Sequence, residues 1–222
     1  MVNGPAGVVV VVHGGRSEST EPTAPYQPAV LRMIPIAQAV RHALRGSAAE
    51  VRRPRLGVRG WNGAQASPVG DLSRMLDDIC EQAGPAPVVL IGHSMGGRAV
   101  LRVAGHPGVT AVAGLAPWLP SGEPVGQLAG RRVLLVHGSA DMTTRPAETW
   151  AYAERARAVT STGVVEVRGG EHTMLRRAQL WHGIAAAFAR VALGLAAGSG
   201  EGAVAVAAAA AASPRRLVLL CA

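Results

Sequence analysis

Lysine is absent from this chain: all 22 basic side chains are arginine, set against 14 acidic ones. The resulting charge of +8 invites a nucleic-acid reading, but a second scarcity argues against it. Aromatic residues make up 3% of the chain, too few for the stacking platforms on which bases are held. The arginines are scattered apart from Arg52-Arg53-Pro54-Arg55, Arg131-Arg132 and Arg176-Arg177, and no nucleic-acid motif accompanies them. Cysteine occurs twice, as Cys80 and Cys221, which excludes a disulfide framework and leads us to expect a reducing, cytoplasmic setting. No apolar run approaches the roughly 20 residues that span a bilayer. The run at 8–12 has no basic residue before it and is too short for a secretory core, so no membrane partner is expected.

What the chain does contain is a series of unbroken β-branched runs. Val8 to Val12 are five valines in succession, and similar runs lie at 88–91, 109–115, 133–136 and 164–167. A weaker candidate at 51–58 is interrupted by Pro54. Continuous rather than alternating hydrophobicity marks strands buried on both faces, as in a parallel sheet. Helical patterns fall between them. Val69, Leu72, Leu76, Ile79 and Ala83 recur at steps of three and four behind Ser67-Pro68, a cap followed by a first-turn proline. Residues 30–44, 146–159 and 174–195 are further candidates, the last carrying a stripe from Met174 to Leu195. Strands alternating with helices imply parallel βαβ units wound on one sheet. Residues 14–28 form a long proline-rich loop, of a kind that is commonly functional. Residues 198–222 lack an amphipathic pattern and read as an alanine-rich, low-complexity and unordered tail, leaving 1–197 as the single folded domain.

The densest chemistry lies in Gly92-His93-Ser94-Met95-Gly96-Gly97, directly after the strand at 88–91 and before a helix. In that context G-x-S-x-G is a nucleophile elbow, whose sharp turn needs glycine on either side of the serine. A serine nucleophile needs a base, and the base needs an acid to orient it. His172 follows the strand at 164–167 in Gly169-Gly170-Glu171-His172; Asp141 follows the strand at 133–136 in His137-Gly138-Ser139-Ala140-Asp141. Both therefore come from the carboxyl edge that carries Ser94. His42 and His182 fall within helices and His106 ends one, which suits packing or surface roles, and Glu123 is the next acid to consider after Asp141. An oxyanion hole would use the amide of Met95 and a second amide from His13-Gly14-Gly15, either Gly15 or Arg16, with Gly15 favoured. That loop reaches Ser94 if the first and third strands are neighbours and the second lies outside the first, because ligands bind where strand order reverses.

These pieces together resemble the α/β-hydrolase superfamily over about residues 7–195. H-G-G after the first strand, the G-H-S-M-G-G elbow, H-G-S-A-D and G-G-E-H stand in the family's order, serine before acid before histidine. The likeness is to small bacterial hydrolases that begin at the third of the usual eight strands. It implies a mostly parallel sheet of about six strands with helices on both faces, lacking two edge strands. The stretch from Ser94 to Asp141 leaves no room for a large cap, only a short loop from Trp118 to Leu128.

The expectation is a serine hydrolase that cleaves a small carboxylic ester, or a thioester, lactone or amide, through an acyl-enzyme. Acyl transfer by the same residues and a non-catalytic binding protein on this fold are the alternatives; a nucleotide site fails for want of G-x-G-x-x-G. No cofactor is implied. His13, His93 and His137 all follow strands, but none forms a close ligand pair, so no metal is expected. Trp61 and Trp118 also follow strand candidates and are expected to wall a shallow acyl pocket, with Arg16 and Arg59 on the same edge.

Overall fold

The computed structural model describes residues 5–211 and 217–219. Five valines in a row make strand β1 (Gly7–Val12), and the sheet explains why all of them are apolar. Val9 and Val11 pack on one side with α1 (Pro28–Ala43), α5 (Ala178–Ala192) and α6 (Glu201–Ala211). Val8, Val10 and Val12 face the other side, with α2 (Ser67–Ala83), α3 (Met95–Arg102) and α4 (Pro146–Ala156). Every one of the five is fully buried. Each such side chain contributes about 1.5–3 kcal/mol when removed from water, so the strand is anchored from both faces.

The remaining strands are β2 (Ala49–Arg52), β3 (Val88–His93), β4 (Val109–Leu115), β5 (Arg132–Gly138), β6 (Thr162–Val167) and β7 (Leu217–Leu219). All pairings are parallel, in the order β2-β1-β3-β4-β5-β6-β7. The six strands expected from sequence are all present. The chain begins in the sheet interior, runs outward to β2, then returns past β1 to β3. That reversal places the carboxyl ends of β1 and β3 side by side, where the ligand crevice of an open α/β sheet forms.

The structure departs from the sequence reading in several places. Ser67 is the first residue of α2 rather than its cap; that position falls on Ala66, and no side chain caps the helix. β2 stops at Arg52, and residues 53–58 continue as a loop, because Pro54 cannot donate to a ladder. α5 begins at Ala178 rather than near Met174, since Met174 and Arg177 take left-handed backbone angles that a helix cannot accommodate.

The last departure corrects the expectation of an unordered tail over its described part: residues 201–211 form α6, and 217–219 form β7 on the edge of β6, while 212–216 and 220–222 lie outside the described residues. α6 has no apolar stripe because it docks through small residues. A Cβ on Gly202 would collide with the backbone of Gly183 in α5, so the two helices touch nearly backbone to backbone. Ala203, Ala205, Val206 and Ala209 are buried there. Cys221 lies outside the described residues, among which Cys80 is a free thiol. Among the described residues no helix is long and apolar enough to cross a membrane.

Candidate active site

Ser94 sits between β3 and α3 with φ 55° and ψ −120°, a backbone conformation that costs a non-glycine residue about 1–3 kcal/mol. The turn is so tight that a Cβ on Gly92 would strike the Gly96 carbonyl, and one on Gly96 would strike the His13 carbonyl. Both glycines of the motif are therefore required by contact. The strain lifts the serine side chain out of the sheet at the start of α3.

His172, in the loop between β6 and α5, places Nε2 3.0 Å from Ser94 Oγ. Its Nδ1 lies 2.8 Å from Asp141 Oδ2. An ionised carboxylate only accepts, so the proton sits on Nδ1 and the Nε2 lone pair faces the serine hydroxyl. Sequence placed these three residues on one edge, and the structure brings them into one hydrogen-bonded line.

Asp141 is 5% exposed, yet it collects donors on both oxygens. Oδ1 accepts from the amides of Thr143 and Thr144 at 2.8 and 2.9 Å. Oδ2 accepts from His172, from His137 Nε2 at 3.1 Å and from the Thr144 hydroxyl at 2.9 Å. Burial alone would raise its pKa, but hydrogen bonds from His137, His172 and the Thr144 amide outweigh it and hold the carboxyl far below the usual carboxylate range. Glu123, the other acid considered, is held instead by Arg98 and Arg102 and does not approach His172.

The His13-Gly14-Gly15 loop lies against the elbow. Leu56 donates its amide to His13 Nε2 at 3.1 Å, so that nitrogen carries no proton. Nδ1 must then be the protonated one, and it donates to the Gly14 carbonyl at 2.7 Å. Burial lowers the His13 pKa, which keeps this neutral tautomer in place. Because the peptide is planar and trans, fixing the Gly14 carbonyl also fixes the direction of the Gly15 N–H. The Arg16 amide, the other donor considered, is already committed to the Arg59 carbonyl at 2.8 Å. The same pairing, continued by Trp61 N–H to the Arg16 carbonyl, ties the proline-rich loop to the segment after β2.

Of the two tryptophans expected beside Ser94, Trp61 turns inward. Trp61 is 2% exposed and meets Trp118 edge-on at 6.3 Å. The Arg98 guanidinium lies over both rings, 3.8 Å from the Trp61 centroid and 4.6 Å from that of Trp118. Trp61 thus packs in the core, while Trp118 stays next to the elbow through its amide, which donates to the Ser94 carbonyl. The open groove beside the elbow lies elsewhere, between Gly15, Arg16, Gln27, Pro28, Ala29 and Arg59. Arg59 is paired there with Glu21, whereas Arg16 has no ion pair among the described residues. Thr144 escaped the sequence reading, and His137 and His93 entered it as motif members and as rejected metal candidates, without a role in positioning the triad. Among the described residues no cluster could hold a metal ion.

A parallel sheet reversing at β1 and β3, with a strained serine at that reversal, defines the architecture of an α/β-hydrolase. A sequence model described as alpha/beta hydrolase fold matches residues 8–153, about two thirds of the chain, and the chain belongs to that family. No curated protein matches it in sequence. Solved structures share the fold at low identity. An alpha-beta serine hydrolase homologue from Coxiella burnetii is 16% identical, covering 82% of this chain and 87% of its own, with a TM-score of 0.61. Est1E from Butyrivibrio proteoclasticus is 14% identical, covering 86% and 89%, with a TM-score of 0.64. A Xanthomonas campestris member of the a/b serine hydrolases without a lid is 20% identical, covering 82% and 79%, with a TM-score of 0.56.

Proposed function

We propose that this chain is a serine hydrolase acting on a small carboxylic ester, with Ser94 as nucleophile, His172 as base and Asp141 as the acid that orients it. The observation that carries the reading is the continuous line from Ser94 Oγ through both nitrogens of His172 to Asp141, set at a strained elbow. Strain of this kind persists only where the surrounding structure imposes it, and it concentrates at reacting centres.

In the proposed reaction Ser94 Oγ attacks the acyl carbonyl as its proton passes to His172 Nε2. The negative charge that develops on the carbonyl oxygen is met by the amides of Met95 and Gly15, neither of which has an acceptor among the described residues. Each such donor is worth about 10²- to 10³-fold in rate. Collapse of the tetrahedral intermediate expels the alcohol, which takes the proton from His172. Water, deprotonated by the same nitrogen, then releases the acid and frees Ser94.

The groove along Gly15, Arg16 and the start of α1 is the place for the acyl or alcohol portion. We place its partner among small acyl compounds rather than nucleic acids or membranes, and its setting in a reducing, cytoplasmic compartment, supported by the free thiol of Cys80. Several neighbours in fold are described as serine hydrolases or esterases, in keeping with this reading. The test is labelling by an active-site-directed fluorophosphonate, with the adduct mapped by mass spectrometry. Modification of Ser94 that is lost in Ser94→Ala is expected. An unlabelled Ser94 in folded protein, with no turnover of p-nitrophenyl acetate or butyrate, would end the proposal.

A further inference from the structure

His93, the last residue of β3, is one of the least accessible polar side chains in the protein, at 1% exposure. Its Nε2 lies 2.9 Å from the backbone carbonyl of His172. A carbonyl can only accept, so Nε2 carries the proton. Nδ1 is buried with no hydrogen-bond partner. It is shut in by the oxyanion-side loop: a Cβ on Gly14 would stand 3.2 Å from it. The His93 and His172 rings meet with centroids 4.8 Å apart and planes inclined by 43°.

An orphaned, buried ring nitrogen costs free energy, so the ring needs a compensating reason to be there. Phenylalanine or leucine would fill the same space without it. What an apolar ring cannot do is hold the carbonyl of the residue that supplies the base. The loop carrying His172 is braced at several points. Gly170 accepts from the Ala140 amide at 2.9 Å, Gly169 donates to Ser139 Oγ at 2.8 Å, and His172 Nδ1 meets Asp141. Those contacts all lead to the segment after β5. Among the described residues, the His93 bond is the tie from this loop to the nucleophile's own strand, apart from the Ser94–His172 contact itself.

We propose that His93 is a positioning residue: its Nε2–H grips the His172 carbonyl and sets the distance between base and nucleophile. The inference rests on the assignment of Ser94 and His172 as nucleophile and base. The charged and titratable groups that act on His93 are His172, Arg32 and Asp141. Burial first, and then the neighbouring His172, push its pKa down to about 3. A proton on Nδ1 would have no acceptor there. His93 therefore stays neutral while His172 gains and loses its proton, and it adds no second positive charge beside the imidazolium.

The two ring nitrogens give an unusually direct test, because glutamine can place an amide nitrogen where Nε2 stood, whereas asparagine reaches only the position of Nδ1. His93→Leu is expected to lower kcat by about 10- to 100-fold, the scale of a misplacement of about 1 Å at a reacting centre. KM for a short p-nitrophenyl ester should change little, and the acidic limb of the kcat/KM profile should shift. His93→Gln should recover most of the rate and the parent's profile; His93→Asn should resemble His93→Leu. Equal rates in the glutamine and asparagine variants, or a folded leucine variant with the parent's kcat and pH profile, would overturn the assignment. If the leucine variant fails to fold, the glutamine–asparagine pair still decides. A second readout does not need turnover. The His172 Nδ1–H proton, held by Asp141, should give a downfield NMR signal that broadens in His93→Asn and persists in His93→Gln. Failure of fluorophosphonate to label the parent would count against the nucleophile, and a signal unchanged in every variant would count against His93.

Discussion

His137 and His172 donate to the same oxygen of Asp141, at 3.1 and 2.8 Å, so one carboxylate oxygen holds two imidazoles. Thr149 meets the far nitrogen of His137 at 2.8 Å and fixes that ring in turn. The acid is therefore itself held in place, and its preferred ionisation state follows from the number of donors around it.

Replacing Asp141 by asparagine turns an acceptor on Oδ2 into a group that can present N–H to both histidines. The proposed triad predicts a fall in kcat of about 10⁴-fold, through the wrong imidazole tautomer. A pH-dependent loss of stability accompanies it. The folded-state pKa of Asp141 lies below its unfolded value, so the bound carboxylate stabilises the fold above pH of about 4 and that contribution drains away as pH falls further. Urea midpoints recorded between pH 7 and pH 2 should fall more steeply for the parent than for Asp141→Asn. Parallel curves would show that Asp141 is not the linked group.

Gly96→Ala puts a methyl group against the His13 carbonyl and so pushes on both sides of the crevice. Overpacking of this sort costs about 1–3 kcal/mol. Activity should disappear while thermal melting drops by several degrees. Differential scanning fluorimetry beside ester assays would show it, and full activity would mean that the elbow relaxes freely.

Arg16 is exposed in the groove and has no ion pair among the described residues, whereas Arg59 beside it is neutralised by Glu21. A substrate with a free carboxylate has one uncommitted cation to meet there. Arg16→Ala should therefore lower kcat/KM for a monoester of a short dicarboxylic acid by about 10-fold, about 1.4 kcal/mol. The value for a neutral ester of the same length should stay put. Equal effects on both would place the acyl portion away from Arg16.

Removing residues 198–222 uncovers the face of α5 that α6 now covers, including the close approach at Gly183. Loss of a few kcal/mol of packing in a chain of this size should lower the melting temperature by about 10 °C. The main contacts of α6 are with α5, β6 and β7, so the rate per folded molecule should hold at low temperature. An unchanged melting curve would mean that α6 adds nothing to the folded state.

Much of this site could be read from the chain because Ser94, Asp141 and His172 each follow a buried strand closely. A strand's end fixes which edge a residue occupies. It does not fix where a side chain points, and Trp61 shows the limit: it reaches the right edge but turns inward beneath Arg98. His93 and Thr144 were illegible as partners for another reason. Their roles depend on the return path of a loop from far along the chain, about which local spacing carries no information. α6 was hidden because periodicity detects large apolar side chains, and its docking depends on their absence at Gly202.

The placement of β7 has a further consequence, for how the molecule survives its own synthesis. β6 carries Val164, Val165 and Val167 and would otherwise be an open strand, able to recruit a strand from another nascent chain. Its cover comes only after α5 and α6 have been made, since β7 follows both. Translation runs from the N-terminus, and domains begin to fold as they emerge. The half-made protein thus leaves this apolar border uncovered for as long as the ribosome takes to reach Leu217.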